Sequence, residues 1–250
     1  MLYEYPFNEH VRTCLRLEHL FRRLGRLVGR DDAVDHHYAL ATIFEVIEVA
    51  ARADLKSELL KDLERHKQLY ASYRGNPAIA EAVLDKVIGQ MDACYQSLQS
   101  QAGKPGQSLA DIEWLHSLRT RIAIPGGTCE FDAPVYHAWQ HRDAAARRRD
   151  LTQWAATLGP LAESVYALLK LMRDSGAPQK VLAAGGKFQQ SLPAARTFQL
   201  ARLVIDPSWG LVPEISGNRM MISVRMMRLD DAAKLQSDSG DTPFELALCA

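Results

Sequence analysis

Two histidines, His137 and His141, are four residues apart, and Cys129 lies close to them in the sequence. On an α-helix this spacing places both imidazoles on one face, where they can bind a zinc ion. Metalloproteases with two histidines at this spacing carry a glutamate directly after the first one, but Ala138 occupies that position here. The sequence indicates no third or fourth ligand. We therefore predict no metal and no other cofactor, and keep as the alternative a metal-dependent or small-molecule enzyme that uses His137, His141 and Cys129.

Two glycine pairs are candidates for a phosphate-binding loop. Gly185-Gly186 precedes Lys187, but the upstream glycine and the following Ser or Thr of a Walker motif are missing. Gly126-Gly127 has no such context either. The sequence also contains no G-x-G-x-x-G after a predicted strand and no G-x-S-x-G nucleophile elbow. We predict that the protein is not an enzyme.

The first predicted helix, from Asn8 to about Val28, carries arginines on one face. At 100° per residue, five of them fall within an arc of roughly 80°, and leucines occupy the opposite side. These arginines are Arg12, Arg16, Arg23, Arg26 and Arg30. No acid is expected among them at the spacing that forms ion pairs within a helix. A solvated helix face is one interpretation of this stripe. The other is a docking surface for an acidic partner, because guanidinium groups bind carboxylates with a planar fork of donors.

The overall charge excludes several functional classes. The 250 residues include 30 basic and 30 acidic side chains, so no net positive field attracts nucleic acid. Arginines outnumber lysines 21 to 9, which favours specific pairing over general attraction.

The first ten residues do not resemble a signal peptide, and no apolar run approaches the length that spans a membrane. The four cysteines show no CxxC spacing. We predict a cytoplasmic protein without membrane insertion.

The elements that must position these residues change in type along the chain. Apolar residues at helical spacing predict helices over most of residues 1–178, with N-caps at Asn8, Asp31/Asp32 and Ser108 and a helix start at Pro77. From residue 179 to 250 the spacing of apolar residues drops to two, so that they alternate with polar residues, and this pattern predicts strands. Segments 2–7 and 122–131 are expected to add edge strands to this sheet. The predicted fold is therefore α+β, with an N-terminal helical bundle and a C-terminal antiparallel strand-rich domain.

Basic side chains beside apolar ones are the main candidates for binding a partner. In a compact fold we expect them to converge between the bundle and the sheet. The candidates are Arg12, Arg16, Arg52, Arg119, Arg121, His137 and Arg225.

Several stretches also carry a resemblance to a known family. They are Phe7-Asn8-Glu9 with Arg12-Thr13 and Leu15-Arg16-Leu17-Glu18; Ser57 to Arg65; Ile124-Pro125-Gly126-Gly127 with Cys129, Phe131-Asp132, Pro134 and His137-x-Trp139-x-His141; and Pro213 to Gly217 with Phe244 to Ala247. Together they resemble the ZapD family, the Z-ring-associated proteins of bacterial cell division. The resemblance covers essentially the whole chain and is weaker at 75–110 and 174–187.

The resemblance implies a cytoplasmic, non-enzymatic homodimer at the midcell division site. It implies binding to the C-terminal tail of the tubulin-like protein FtsZ, and bundling of FtsZ filaments. Arg16 and His137 match family positions tied to that binding, while Arg12, Arg52 and Arg225 match basic family positions.

A basic position of the family falls on Glu113 in this chain. Either that contact is lost here, or Arg119 and Arg121 from the same helix replace it.

Overall fold

The computed structural model describes residues 1–51 and 54–250. In this part of the chain, eight α-helices precede most of the strands, and the α+β fold predicted from the sequence is confirmed. The helices are α1 (Glu9–Val28), α2 (Ala33–Ala50), α3 (Leu55–Ala71), α4 (Glu81–Ser100), α5 (Glu113–Arg121), α6 (Pro134–Gln140), α7 (Ala144–Ala156) and α8 (Gly159–Asp174). The strands are β1 (Leu2–Pro6), β2 (Gln179–Ala183), β3 (Lys187–Ser191), β4 (Leu200–Val204), β5 (Leu211–Gly217), β6 (Met221–Leu229), β7 (Leu235–Ser237) and β8 (Thr242–Cys249).

The chain divides into two compact units, and the divisions fall within α1 and α8. The helical unit comprises Leu15–Leu168. The sheet unit comprises Met1–Cys14 together with Leu169–Ala250. None of the helices in the described residues is both long and apolar enough to cross a membrane.

The helical unit is built around α2, which is apolar on most of its circumference. Leu40, Ile43 and Val46 are at most 1% exposed, whereas Tyr38, Glu45 and Glu48 form an exposed side. Helix α1 instead buries one side, including Leu17 and Leu24, and leaves its arginine side towards solvent. This difference follows from the sequence, because the polar and apolar residues are separated more sharply on α1 than on α2.

Two predicted N-caps are confirmed by their hydrogen bonds. The Val11 amide donates to Asn8 Oδ1 at 2.8 Å, and the Val34 amide donates to Asp32 Oδ1 at 2.7 Å. Ser108 is not an N-cap: it lies in the short 3-10 segment Gln107–Leu109, and α5 begins only at Glu113. Residues 76–79 likewise form a turn, so α4 begins at Glu81 rather than at Pro77.

The expectation of an edge strand at 122–131 is wrong. This segment folds into consecutive turns, in which Gly127 donates to the Ile124 carbonyl at 2.9 Å and Cys129 donates to the Gly126 carbonyl at 3.2 Å. Gly126 has a φ of +71°, a conformation that favours glycine and ends an extended segment. Local turns therefore satisfy backbone groups that a strand would pair with a neighbour.

The sheet unit contains two antiparallel sheets whose apolar faces share one core. One sheet has the strand order β1-β4-β8-β2, and the other has the order β3-β6-β5 with β7 paired to β6. The first segment thus joins a sheet as predicted, since Leu2 pairs with Val204 and Pro6 with Leu200. Alternation along β6 buries Ile222, Val224 and Met226 in the shared core, so the residues between them face outwards.

Candidate functional site

Acidic residues accompany the arginines on the exposed side of α1. Arg12 Nε lies 3.2 Å from Glu9 Oε2, and Arg23 Nη2 lies 2.5 Å from Glu45 Oε1 on α2. The expectation that no acid pairs with this stripe is therefore wrong. Glu9 is three residues before Arg12 on the same helix, and tertiary packing brings Glu45 to Arg23. These pairs reduce the mutual repulsion that the sequence suggested.

A groove of about 580 Å³ runs between α1, α2 and α5 in the helical unit. We call it the α1–α2–α5 groove. Its lining residues are Arg23, Leu27, His37, Tyr38, Ala41, Phe44, Glu45, Glu48, Arg119, Ile122 and Ala123. Two guanidinium groups thus lie beside apolar and aromatic side chains. Arg23 is committed in part to α2, because its Nε also donates to Thr42 Oγ1 at 2.9 Å. Arg119 is half-buried and has no ionic partner among residues 1–51 and 54–250.

Helix α6 holds the two histidines that the sequence singled out. The rings of His137 and His141 are 4.4 Å apart between centroids, and His141 Nδ1 lies 2.9 Å from the His137 carbonyl oxygen. Both side chains are exposed. Within the described part of the chain, no group of three His, Cys, Asp or Glu side chains is placed to hold a metal ion. The two imidazoles therefore form a surface pair available for hydrogen bonding.

Arg121 is the last residue of α5. Its Nη1 lies 3.5 Å from Asp132 Oδ1 in the segment that leads into α6, and its Nε donates to Ser117 Oγ at 3.4 Å. Arg121 thus makes a long ion pair with the turn segment, whereas Arg119 on the same helix lines the α1–α2–α5 groove.

Arg147 anchors α6 and α7 to the start of α2. It is only 7% exposed, and it donates to the Asp31 carbonyl at 2.6 Å, to the Gln140 carbonyl at 2.9 Å, and to the Arg142 carbonyl. Its Nε also donates to His36 Nδ1 at 2.9 Å. A guanidinium group only donates, so Nδ1 is the acceptor and the proton of neutral His36 is on Nε2.

The buried pair of Arg147 and His36 fixes the protonation state of the imidazole. His36 Nε2 lies 2.7 Å from the Arg30 carbonyl oxygen, which accepts its proton. Burial lowers the pKa of His36, and the neighbouring Arg147 charge lowers it further. Neutral His36 therefore completes a network that connects three segments of the helical unit.

Arg225 is exposed on the outward face of β6 in the sheet unit. Its register neighbours are Lys187 on β3 and Glu214 on β5. Arg225 Nε donates to Glu214 Oε2 at 2.8 Å, so a cross-strand ion pair orients the guanidinium. The adjacent Lys187 makes this part of the sheet face net positive.

The structure distributes the predicted binding residues between the two units. Arg12 and Arg225 lie in the sheet unit, and the helical unit contains the others that are described: Arg16, Arg119, Arg121 and His137. Arg52 lies outside the described residues. Arg16 is exposed on α1, as its place in the stripe predicted. The convergence of all seven residues on one site stays a prediction.

Comparison with known proteins identifies the family. The family model described as ZapD, cell division protein, matches residues 15–225. Two curated relatives, both named cell division protein ZapD, come from Cupriavidus taiwanensis and Cupriavidus necator. Each is 48% identical over 250 residues, covering 100% of this chain and 99% of the relative. The chain belongs to the ZapD family.

Family membership gives this chain a role in cell division. Both relatives are named for that process and neither is named for a catalysed reaction, which agrees with a non-enzymatic protein. The surface features above are accordingly more relevant to partner binding than to catalysis.

Two residues that line the α1–α2–α5 groove, Arg23 and Phe44, were not among the binding residues predicted from the sequence. Arg23 belonged to the arginine stripe, but its position beside α2 depends on packing. Phe44 was an apolar residue on one face of α2, and it is only 6% exposed. The available signal was the basic stripe of the first helix followed by a second helix rich in apolar residues.

Proposed function

We propose that this chain binds the C-terminal tail of FtsZ and, as a dimer, cross-links FtsZ filaments at the midcell division site in the cytoplasm. Membership of a cell division family supports this role, and the α1–α2–α5 groove is the observation that carries it. The groove offers cationic donors beside apolar surface. A short segment with acidic and apolar residues fits this chemistry.

Arg119 is the basic group of the groove best placed to bind a carboxylate. Arg23 already shares its charge with Glu45, whereas Arg119 has no ionic partner among the described residues. Leu27 and Ile122 line the same groove and provide apolar contact. Exposed arginines such as Arg16 raise the encounter rate with an acidic tail through long-range attraction.

Bundling requires two binding sites in one assembly. The sequence contains no internal repeat that would supply both, so we propose a two-fold symmetric dimer. Each contact is multiplied along a polymeric partner, so weak individual binding is sufficient for bundles. Light scattering tests this step: a mass near the 27.9 kDa of one chain at micromolar concentration would contradict it.

Sedimentation of FtsZ polymers with and without this protein tests the main proposal. The parent chain should increase the pelleted fraction at low centrifugal force. Arg119→Glu and Arg16→Glu should both reduce bundling, because a lost charge-assisted contact weakens tail binding about ten-fold and a carboxylate adds repulsion. Lys86→Glu is the matched control, since Lys86 is an exposed basic residue on α4.

Melting temperature and dimer mass should be unchanged in both arginine variants. If both bundle like the parent, the arginine surface is only a solvated face and the tail binds elsewhere. If the parent chain itself neither binds nor bundles FtsZ, the proposed function is wrong.

A further inference from the structure

A second pocket of about 420 Å³ lies between α5 and α6. We call it the α5–α6 pocket. Its lining includes Glu113, Trp114, Asp132, Val135 and Tyr136. Aromatic and apolar side chains form most of this lining. Both charged residues in it are carboxylates, whereas the α1–α2–α5 groove is lined by two arginines and two glutamates.

The aromatic side chains of the pocket are held in place by other rings. Trp114 packs against Trp154 with centroids 5.6 Å apart and against Trp139 at 6.0 Å. Tyr136 is 2% exposed, and its hydroxyl is 2.6 Å from His37 Nδ1. That hydroxyl is already hydrogen-bonded, so Tyr136 contributes apolar surface at the base of the pocket. The walls are therefore preorganised for a ligand.

The two carboxylates of the pocket retain the capacity to bind a cation. Glu113 is exposed in the first turn of α5 and has no ionic partner in the described ranges 1–51 and 54–250. Asp132 lies 3.5 Å from Arg121, too far for a strong hydrogen bond, and both side chains are 40% exposed. The helix dipole explains an acid at the position of Glu113. It does not explain why that acid and a second one share a pocket with a tryptophan.

We propose that the α5–α6 pocket binds a lysine or arginine side chain of a partner peptide. Carboxylates at the pocket and an aromatic ring in its wall are complementary to an ammonium or guanidinium group with an apolar stem. Phe131, next to Asp132 in the sequence, is 77% exposed and offers apolar contact to residues beside that cation.

The α5–α6 pocket and the α1–α2–α5 groove lie on different sides of α5. Glu113 and Arg119 are six positions apart, so at 100° per residue their side chains project about 120° apart around the helix axis. The two are therefore separate sites. The inference rests on the proposed function and deepens it, because the pocket adds a site for a basic residue of the tail whose acidic residue binds Arg119.

Nuclear magnetic resonance of the full chain tests the pocket without FtsZ. The indole N–H signal of Trp114, assigned with a Trp114→Phe variant, is followed during titration with acetyl-Leu-Arg-Leu-amide and with acetyl-Leu-Gln-Leu-amide. The arginine peptide should bind about two- to five-fold more tightly, as expected for an exposed ion pair with a cation–π contact. Glu113→Gln should remove that preference, and Glu163→Gln, an exposed acid on α8, should preserve it. Equal affinity for both peptides would overturn the inference.

Fluorescence anisotropy with a labelled FtsZ tail peptide links the pocket to the proposed function. Glu113→Lys should weaken tail binding about ten-fold, because it adds repulsion to a lost attraction. A tail peptide with every Lys and Arg replaced by Gln should bind the parent and Glu113→Gln equally. If Glu113→Lys binds the natural tail as tightly as the parent or more tightly, the pocket receives an acid and the inference is wrong. If the parent does not bind the tail but Trp114 responds selectively to the arginine peptide, only the proposed function fails.

Discussion

Arg147 should be essential to the stability of the helical unit, although it stands in a run of three arginines. Arg147→Met removes the donor to His36 Nδ1 and to the carbonyls of Asp31, Gln140 and Arg142. A buried acceptor left without a partner costs about 1–3 kcal/mol, and removing one side of a buried polar pair costs about 3–5 kcal/mol. Methionine recovers part of this through apolar burial.

We therefore expect Arg147→Met to lower the free energy of unfolding by about 3–5 kcal/mol, a large fraction of the total for a typical domain. Urea denaturation followed by tryptophan fluorescence measures this, because Trp139 packs on His36 with ring centroids 6.5 Å apart. Arg149→Met is the control: Arg149 is exposed on the same helix, and its loss should change stability by no more than about 0.5 kcal/mol.

Arg147→Lys separates charge from geometry. An ammonium group keeps the charge but does not reproduce the planar fork that reaches several acceptors at once. Arg147→Lys should therefore also lower the free energy of unfolding, though by less than Arg147→Met. A loss below about 1 kcal/mol for Arg147→Met would refute the reasoning, since it would mean that water satisfies these carbonyls in place of the guanidinium.

Three further outcomes are expected. Stability should fall as the pH drops below the ordinary histidine pKa of about 6.5, because burial lowers the pKa of His36, His37 and His66 and the unfolded chain then binds protons more readily. His36→Gln should therefore reduce the difference between the urea midpoints at pH 7.5 and 5.5, and an unchanged difference would contradict the contribution of His36. Gly186→Ala should destabilise the sheet unit by more than about 2 kcal/mol, since φ is +72° and the added Cβ would lie 1.9 Å from the Asp238 carbonyl oxygen; a melting temperature equal to that of the parent would contradict this. Tail binding should weaken steadily from low to high salt, because exposed charges are screened over about 8 Å at physiological ionic strength; an affinity independent of salt, measured by anisotropy, would indicate a purely apolar groove.

Local signals in the sequence predicted the elements that depend on local physics. Asn8 and Asp32 cap helices because their side chains reach amides two or three residues away. The alternation of apolar and polar residues likewise predicted strands, because successive side chains of a strand point to opposite faces, as they do along β6. Ser108 looked like a cap by its spacing, but Gly106 is left-handed and the segment forms a 3-10 turn instead. Whether a cap residue actually starts a helix depends on the backbone around it.

The properties of individual arginines depend on long-range packing, which the sequence does not show. Arg147 and Arg149 are the same residue type within one run of three arginines, yet Arg147 is buried and Arg149 is exposed. Arg23 pairs with Glu45, which is more than twenty positions away. Helix periodicity correctly placed Arg16 on an exposed face, but it does not reveal which arginines line a groove.

The pairing of β1 with β4 has a consequence for synthesis on the ribosome. The amino group of Met1 donates to the Ile205 carbonyl at 2.5 Å, across 204 positions of the chain. At a translation rate of about 5–20 residues per second, β1 is made roughly 10–40 s before the strand it pairs with. Throughout that interval its backbone donors and acceptors lack their partners, while the segments of the helical unit emerge. The two sheets therefore come together only after the helical segments have been synthesised. A chaperone that binds β1 on the nascent chain would have to release it once the last quarter has been made.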